Sequence, residues 1–288
     1  MKLQSAMEYL MTYGWAILII AIALGALYTL GIFNPSTLAP KAPPGSCQVI
    51  RPEGAGTTSF INLEGICNNE LPEYVAQIST DTDYVSLPAL NSKLNSNITI
   101  VAWIIPTKET GNPLWNWVVN VGGTACTGTG LSLAVTQSYY IIADGMCDSF
   151  TPSSGATAKQ NAWNFAALAL NGETISIDTN NNWNNGTLAS PITFGTGASI
   201  GGLGSGPLIR WFNGSIANVQ IYNTSLSGVD LNALYQEGIG GVPINIQNLV
   251  AWYPLNGNAN DYSGNSYNGH INGNLQFSGS WASAYTAP

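Results

Sequence analysis

The clearest strand pattern in this chain is Phe212-Asn213-Gly214-Ser215-Ile216-Ala217-Asn218-Val219-Gln220-Ile221-Tyr222-Asn223, in which an apolar run follows a Gly-containing turn. Short apolar runs bounded by Gly, Asn and Ser are typical of β-strands. A helical pattern follows from Leu226 to Glu237, with Ser225 or Ser227 as its N-cap and Gly238 after its last residue. We therefore predict a strand followed directly by a helix.

Further short apolar runs lie between polar turns on the N-terminal side of this unit. They are Ile98–Ile105, Trp117–Val121, Leu131–Val135, Tyr139–Ala143, Trp163–Leu170 and Thr174–Asp178. Many short strands separated by polar turns predict a β-sandwich or a β-barrel. The nine Trp and thirteen Tyr residues need a core, so we expect this part of the chain to fold.

Three segments resemble the LamG-like, concanavalin A-like jelly-roll family and occur in that family's usual order. They are Tyr84–Pro88, Ile98–Pro106 with Trp103 inside, and Phe212–Asn223 with the helix after it. The resemblance implies a mainly β fold, an antiparallel β-sandwich of the concanavalin A-like jelly-roll type. Residues 47–288 are its expected extent, as an extracellular head.

The C-terminal segment Leu249–Asn265 resembles the opening of such a domain, although it comes last in the chain. It is either a truncated second repeat or part of a circularly permuted fold. We favour permutation, because the termini of jelly rolls lie close together. Strands within residues 249–288 are then expected to complete the same sheets.

The N-terminal segment predicts a membrane helix. Tyr9–Phe33 is almost uncharged, and about 25 residues at about 1.5 Å rise are long enough to cross the hydrocarbon core of a bilayer. Glu8 at its entrance costs about 2 to 3 kcal/mol unless it is paired, so we expect a cationic partner. An ordinary secretory signal ending near Ala21-Ile22-Ala23 and a plain uncleaved anchor are the alternatives.

The residues around this entrance resemble the class III signal peptide of archaeal type IV pilins. They are Lys2, Leu3, Gln4, Ser5, Ala6, Glu8 and Leu10. The resemblance implies a leader of residues 1–3, cut between Leu3 and Gln4 by a prepilin peptidase. It also implies a helix of residues 4–33 that waits in the membrane and then packs in a filament core. Glu8 would there meet the free amine of Gln4 on another pilin subunit.

The remaining composition favours the cell exterior. Residues 34–46 form a Pro-rich linker, and beyond it lie Cys47, Cys67, Cys126 and Cys147. Four cysteines allow three disulfide pairings, of which we take sequential pairing as the default. The C-x₂₋₄-C spacing of zinc sites is absent. With 8% charged residues, a net charge of -8 and no basic patch, we expect no nucleic-acid partner.

Catalytic patterns are weak, so we do not predict an enzyme or any catalytic residue. Glycoside hydrolysis usually needs two carboxylates facing one cleft. Asp81-Thr82-Asp83 is the nearest approach, while Glu173 and Asp178 would face opposite sides of a strand. Gly197-Ala198-Ser199-Ile200-Gly201 matches G-x-S-x-G, but the expected helix does not follow, and His270 is the only histidine.

Three weaker kinds of site remain. Asp81 with Asp83, or Asp144 with Asp148, can help bind Ca²⁺ as a cofactor, although turn formation explains these acids better. Trp115, Trp117, Trp183 and Trp211 can stack on sugar rings, although core packing is favoured for most of them. Glycosylation sequons begin at Asn97, Asn185, Asn213 and Asn223, no more than chance provides. Asn185, in an expected polar loop, is the best exposed acceptor.

The sequence therefore predicts a type IV pilin-like surface subunit with a lectin-like, adhesive head and a carbohydrate ligand. It would be a single-pass membrane protein before assembly and part of an extracellular filament afterwards. The first alternative is an uncleaved, membrane-anchored, carbohydrate-binding surface protein. The second alternative is a glycoside hydrolase of concanavalin-like fold.

Overall fold

The computed structural model describes residues 13, 16–25, 72–107, 116–123, 129–145, 148–150, 157–188, 191–202 and 210–288. It divides into two compact units, one with residues 13 and 16–25 and the other with the described residues from 72 onward. The predicted cleavage site, Glu8, the linker of residues 34–46 and all four cysteines lie outside the described residues.

Residues 13 and 16–25 are helical, and their apolar side chains are exposed, as for Ile17 at 66%. No described helix is both long and apolar enough to cross a membrane. The remainder of the predicted helix of residues 4–33 lies outside the described part of the chain.

The second unit is built from short strands and one longer helix. The strands are β1 Val75–Ile78, β2 Tyr84–Ser86, β3 Asn97–Pro106, β4 Asn116–Val121, β5 Leu131–Val135, β6 Ile141–Gly145, β7 Asp148–Phe150, β8 Asn164–Asn171, β9 Thr174–Thr179, β10 Asn182–Thr187, β11 Ala198–Ile200, β12 Gly214–Tyr222, β13 Leu249–Tyr253, β14 His270–Asn272 and β15 Gln276–Ser278. The helix α1 is Gly228–Glu237, and short 3₁₀ turns lie at Ile246–Asn248 and Ala282–Ala284.

These strands form two antiparallel sheets packed as a sandwich, which confirms the predicted mainly β, antiparallel fold class. The first sheet has the order β10-β9-β8-β3-β12-β1-β15, with β13 also paired to β12. The second has the order β14-β2-β11-β4-β5-β6-β7. Fully buried side chains such as Ile98, Ile100, Leu131 and Leu133 fill the space between the sheets.

The C-terminal strands take part in both sheets. β13 pairs with β12 and β15 with β1 in the first sheet, while β14 pairs with β2 in the second. Asp261 ties their connecting loop together, because its carboxylate accepts hydrogen bonds from the backbone amides of Trp252, Ser263 and Tyr267. Residues 249–288 thus contribute strands to both sheets of this sandwich.

An aromatic layer covers the outer face of the first sheet. Trp103 contacts the rings of Phe165, Tyr235 and Tyr285, at centroid separations of 5.6, 6.1 and 5.7 Å. Tyr235 belongs to α1, whose Leu231 and Leu234 are buried in the same cluster. Burial of large aromatic surface is strongly stabilising, so α1 is held on this face.

The helix α1 begins close to the predicted position. Ser227 is the N-cap and forms a capping box with Asp230, and Gly238, with φ of 78°, follows the last residue. The predicted start at Leu226 is two residues too early, because Ser227 stays extended to cap the first turn.

One expected loop is a strand instead. Asn182–Thr187 is β10, the edge strand of the first sheet, and β9 is its one partner among the described strands. The turn before it places Asn180 and Asn181 at φ of 51° and 65°, and this left-handed pair matches the twist of a two-residue hairpin. Asn is depleted in strands, so the pairing rather than intrinsic propensity makes this segment extended.

Candidate functional site

Polar residues stand opposite one another on six neighbouring strands of the second sheet. From β6 to β14 they are Asp144, Ser132, Asn120, Ser199, Ser86 and His270. We call this set the polar row. Neighbouring strands are about 4.8 Å apart, so the polar row crosses about 24 Å of the sheet.

Strand alternation places the polar row on the face away from the core. In β5, Leu131 and Leu133 contact the core between the sheets, whereas Ser132 lies between them in the sequence. In β6, Ala143 contacts the core and Asp144 follows it. Because successive side chains of a strand point to opposite faces, the polar residues share the outer face of the second sheet.

Trp117, Asp144 and Arg210 form a charged cluster at the β6 end of the polar row. Asp144 Oδ2 accepts a hydrogen bond of 2.5 Å from Arg210 Nη1 and one of 2.8 Å from Trp117 Nε1. Arg210 Cζ lies 5.3 Å from the centroid of the Trp117 ring, so a cation–π contact joins them as well. The guanidinium neutralises the carboxylate, and each side chain holds the other two in place.

This cluster is buried at an energetic cost. The side chains of Arg210 and Asp144 are 3% and 1% exposed. Removing a charge from water costs several kcal/mol per ion, and only close pairing with good hydrogen bonds offsets it. A well-packed apolar pair would stabilise the folded domain at least as well. The presence of an ion pair here therefore points to a role in recognition or in specifying the fold.

The middle of the polar row is hydrogen-bonded with one exception. Ser132 Oγ donates to Asn120 Oδ1 at 3.0 Å, and Asn120 Nδ2 donates to the carbonyl oxygen of Gly123 at 2.9 Å. Ser199 is 3% exposed, and its Oγ has no hydrogen-bond partner among the described residues. A buried hydroxyl without a partner is costly, so Ser199 is a local cost to the stability of this sheet.

The β14 end of the polar row is open to solvent. His270 is exposed, and Ser86 and Asn272 are half-buried, with Asn272 Nδ2 donating a 3.0 Å hydrogen bond to Ser86 Oγ. Tyr84, the cross-strand partner of Asn272, is also half-buried. A ligand that approaches from solvent meets these four side chains first.

The polar row does not resemble a hydrolytic centre. Asp144 is the one carboxylate in it, and its charge is neutralised by Arg210. Two free carboxyl groups about 5 to 9 Å apart are what glycoside hydrolysis usually requires. Ser199 and His270 are separated by β2, about 10 Å in strand spacings, so no serine–histidine hydrogen bond can form. The segment from Gly197 to Gly201 contains strand β11 rather than a nucleophile elbow.

Comparison with known proteins identifies the superfamily. The Laminin_G_3 family, described as the concanavalin A-like lectin/glucanases superfamily, matches residues 79–232, more than half of the chain. This chain belongs to that superfamily. A comparison with curated proteins finds no match.

Several solved structures are similar to this chain at low sequence identity. A candidate carbohydrate binding protein from Bacteroides ovatus has a TM-score of 0.55 and 16% identity, with 72% of this chain and 60% of that chain covered. This chain thus spans about three fifths of that protein. A SAP-like pentraxin from Limulus polyphemus has a TM-score of 0.49 and 11% identity, covering 71% and 93%. The CBM40 of a Ruminococcus gnavus sialidase, bound to α2,3 sialyllactose, has a TM-score of 0.43 and 18% identity, covering 57% and 97%.

The predicted Ca²⁺ ligands lie in two places: Asp81 and Asp83 in the connection between β1 and β2, and Asp144 and Asp148 in strands β6 and β7. Asp83 is buried, and its carboxylate accepts hydrogen bonds from the amides of Ser79, Thr80 and Asn274, while Asp81 is exposed. These contacts are those of a turn-forming acid. Asp148 is the backbone partner of Gly145 in the β6–β7 hairpin, and the side chain of Asp144 is ion-paired. No group of three or more His, Cys, Asp or Glu residues in the described ranges is placed to hold a metal ion.

The predicted aromatic residues are mostly packed in the sandwich. Trp117 is buried on the outer face of the second sheet with Ala134 and Ile142. Trp211 packs on the core between the sheets, and Trp183 packs at the edge of the aromatic layer. Trp115 lies outside the described residues. Of the four sequon residues, Asn97 and Asn185 are exposed, whereas Asn213 and Asn223 are half-buried.

Two acidic residues away from the polar row have unusual environments. Burial raises the pKa of Asp178 in β9 to about 7, and the amides of Asn181 and Asn182 lower it in part. Burial also raises the pKa of Glu237 in α1 to about 7, and the amide of Val242 lowers it in part. Both groups belong to the first sheet and the helix that covers it, so they bear on stability rather than on the polar row.

The sequence prediction did not identify Arg210, Ser132 or Asn120, and it named Asp144 only as a candidate Ca²⁺ ligand. Ser132, Asn120 and Asp144 each interrupt an apolar strand directly beside a core-facing residue. A single polar residue within an alternating strand indicates a side chain on the face away from the core, so these positions could have been found from the sequence. Arg210 could not have been placed in this way, because its contact with Asp144 joins residues 66 positions apart.

Proposed function

We propose that this chain is a carbohydrate-binding surface protein, whose lectin-like domain binds glycans at the open end of the polar row. The observation that carries the proposal is a continuous line of hydrogen-bonding side chains across one sheet face of a lectin-superfamily sandwich. One structure with the same fold is a candidate carbohydrate binding protein, which supports this class of ligand.

The chemistry of the polar row suits a neutral, hydroxyl-rich ligand. Ser86, His270 and Asn272 offer both donors and acceptors at the open end. The charges of Arg210 and Asp144 cancel, so a strongly charged ligand gains little there. The accessible members of the polar row, Ser86 and His270, lie on the neighbouring strands β2 and β14, about 5 Å apart, so we expect the open end to hold a single sugar ring. The proposed role is binding rather than catalysis, because a free carboxylate pair is missing from this face within the described ranges.

A panel of immobilised glycans, tested with the full-length protein, measures this directly. His270→Ala should weaken binding about tenfold, the equivalent of about 1.4 kcal/mol, without lowering the melting temperature. Asn272→Ala should weaken binding to a similar extent and also cost about 1 kcal/mol of stability, because it loses its hydrogen bonds to Ser86 and to the carbonyl oxygen of His270. Gln77→Ala, an exposed change on β1 of the other sheet, is the matched control and should bind normally. Failure of the wild-type protein to bind any glycan, or equal binding by all variants, would exclude the proposal.

For the N-terminal segment we propose pilin-type processing and assembly as a second function. Its support is the order of residues in the sequence: cleavage site at Leu3 and Gln4, then Glu8, then the apolar run Tyr9–Phe33. The helix of residues 4–33 would anchor the precursor in a membrane and later pack in a filament. Glu8 would then pair with the Gln4 amine of another subunit, and the four cysteines would form disulfides outside the cell.

The N-terminal residue of protein isolated from the cell surface distinguishes a cleaved, pilin-type subunit from an uncleaved membrane anchor. Gln4 at the N-terminus, found by mass spectrometry, would support processing by a prepilin peptidase, and Glu8→Ala should then abolish filaments. Met1 at the N-terminus would instead mean an uncleaved membrane anchor that carries the same lectin-like domain.

A further inference from the structure

The four sequons have very different surroundings in the folded domain. Asn97 Oδ1 accepts a 3.1 Å hydrogen bond from the amide of Gly172, and the hydroxyl residue of this sequon, Thr99, is fully buried. Thr99 Oγ1 donates to the carbonyl oxygen of Thr224 and accepts from the amide of Leu226. A glycan-transferring enzyme cannot engage this hydroxyl in the folded protein, and a glycan on Asn97 would displace its contact.

The sequons at Asn213 and Asn223 are also inaccessible to modification in the folded domain. Asn213 Oδ1 accepts a hydrogen bond from Thr107 Oγ1 at 3.2 Å, and Ser215 of the same sequon is buried. Asn223 is half-buried, and its Oδ1 is withdrawn from solvent. Modification of Asn223 before folding would place a bulky polar group where the folded side chain is enclosed, so a folded molecule is not expected to carry it.

Asn185 is the exception. It lies in the edge strand β10, its side chain is exposed, and no side-chain hydrogen bond joins it to the rest of the described chain. Thr187, the hydroxyl residue of this sequon, is exposed as well. Both groups that the sequon needs are therefore accessible on one strand, before and after folding.

Trp183 lies on the same side of β10 as Asn185, because the two residues are two positions apart in a strand. Their separation along the strand is about 7 Å. Trp183 is half-buried and packs at the edge of the aromatic layer, so part of its ring remains accessible. A pyranose has an apolar face that suits an indole ring, and a sugar attached at Asn185 is within reach of it.

We propose that Asn185 is an N-glycosylation site, that it is the one used among the four sequons, and that its first sugar lies on the Trp183 ring. The glycosyl donor is an oligosaccharide linked to a lipid phosphate. A bond forms between Asn185 Nδ2 and the anomeric carbon, the bond from that carbon to the phosphate oxygen breaks, and Nδ2 loses a proton as the lipid phosphate leaves. The inference depends on the exterior location proposed above, but not on glycan binding by the polar row.

The glycan would cover an exposed edge of the first sheet. Within the described ranges β10 is paired on one side only, so its other side carries backbone donors and acceptors that another extended chain could pair with. Edge strands of this kind are usually protected by charges, proline or a covering element. β10 has none of these within its own sequence, Asn182–Thr187, and a bulky hydrophilic group at Asn185 would serve the same purpose.

Mass spectrometry of tryptic peptides tests which sequon is used, because the Lys and Arg residues place Asn185 in a peptide apart from the other three sequons. Trypsin cleaves after Lys93, Lys108, Lys159 and Arg210, so Asn97 falls in the peptide 94–108, Asn185 in 160–210, and the other two sequons in 211–288. For full-length protein isolated from its native cells, mass spectrometry should find glycan on 160–210 and the unmodified mass for the other two peptides. An unmodified 160–210 peptide, or glycan on either other peptide, would overturn the proposal. Neither result affects the glycan-panel measurement, so the two proposals fail separately.

Matched variants test the sequon and the Trp183 contact. Thr187→Ala should remove the glycan and Thr187→Ser should retain it. Asn185→Gln should lower the melting temperature by about 2 °C in the wild-type background and leave it unchanged in a Trp183→Leu background. An equal decrease in both backgrounds would show that the sugar does not lie on Trp183.

Discussion

Replacing Asp178 by Asn should make the lectin-like domain more stable at neutral and alkaline pH. Asp178 is fully buried in β9, opposite Ala167 and Trp183, and neither carboxylate oxygen has a hydrogen-bond partner in the described chain. The N–H groups of Asn181 and Asn182 favour the charged form slightly, without reaching hydrogen-bond geometry. Burial dominates and raises the pKa of Asp178 from 3.8 to about 7. Asparagine has the same shape without the charge.

The size of the effect follows from linkage between protonation and folding. The carboxyl group of Asp178 ionises at a lower pH in the unfolded chain than in the folded domain, because its folded pKa is higher. Raising the pH therefore favours the unfolded state. The contribution of protonated Asp178 to the free energy of unfolding is fully present below pH 3.8 and is lost as the pH rises through about 7. A difference of about three pKa units is worth about 4 kcal/mol, which is an upper limit for the gain above pH 7. For a domain of this size, this corresponds to about 10 °C in melting temperature.

Thermal unfolding of wild type and Asp178→Asn, followed by circular dichroism from pH 4 to pH 8, measures this effect. The two melting temperatures should nearly coincide at pH 4 and diverge as the pH rises. Glu237→Gln should act in the same direction, because burial also raises its pKa to about 7. Glu173→Gln, on the exposed turn before β9, controls for the change in net charge. A gap between wild type and Asp178→Asn that is constant across this pH range would refute the reasoning.

Three other substitutions test separate features by chemical unfolding. Asp261→Ala removes four hydrogen bonds of the C-terminal loop and should cost about 3 kcal/mol; a loss below about 1 kcal/mol would mean that the loop does not depend on them. Arg210→Ala leaves Asp144 buried with an uncompensated charge and should cost about 4 kcal/mol, most of which the double variant Arg210→Met/Asp144→Leu should recover. Gly214→Ala places a Cβ against a backbone carbonyl of β3 and should cost about 3 kcal/mol, whereas Gly172→Ala meets open space and should cost only the roughly 1 kcal/mol of its left-handed φ of 62°. Similar costs for the two glycine variants would contradict this.

The sequence predicts the strands of the core well because their apolar runs are long enough to be distinctive. Leu131–Val135 is β5 without change, and the run Ile216–Tyr222 lies within β12. The predicted start of β6 at Tyr139 is wrong, since that residue has φ of 63° in the preceding turn. β10 was not predicted, because its polar composition resembles that of a loop and only pairing with β9 makes it extended.

The candidate site was less predictable than the fold. The polar row depends on the register of six strands, and a shift of one residue in any strand would move its member to the other face. Register between β2, β11 and β14 joins segments far apart in the chain, so local patterns do not specify it. The single polar residues inside apolar strands were visible in the sequence, but their alignment into one row was not.

The pairing of β15 with β1 also sets the order in which this protein can fold. β1 begins at Val75 and β15 ends at Ser278, so the first sheet is completed only when nearly the whole chain is available. Sheets with such distant partners close slowly, and the earlier strands stay incompletely covered while the later ones are being synthesised. A chain exported through a membrane during synthesis would therefore cross before its sandwich closes, and the domain would reach its final form on the far side.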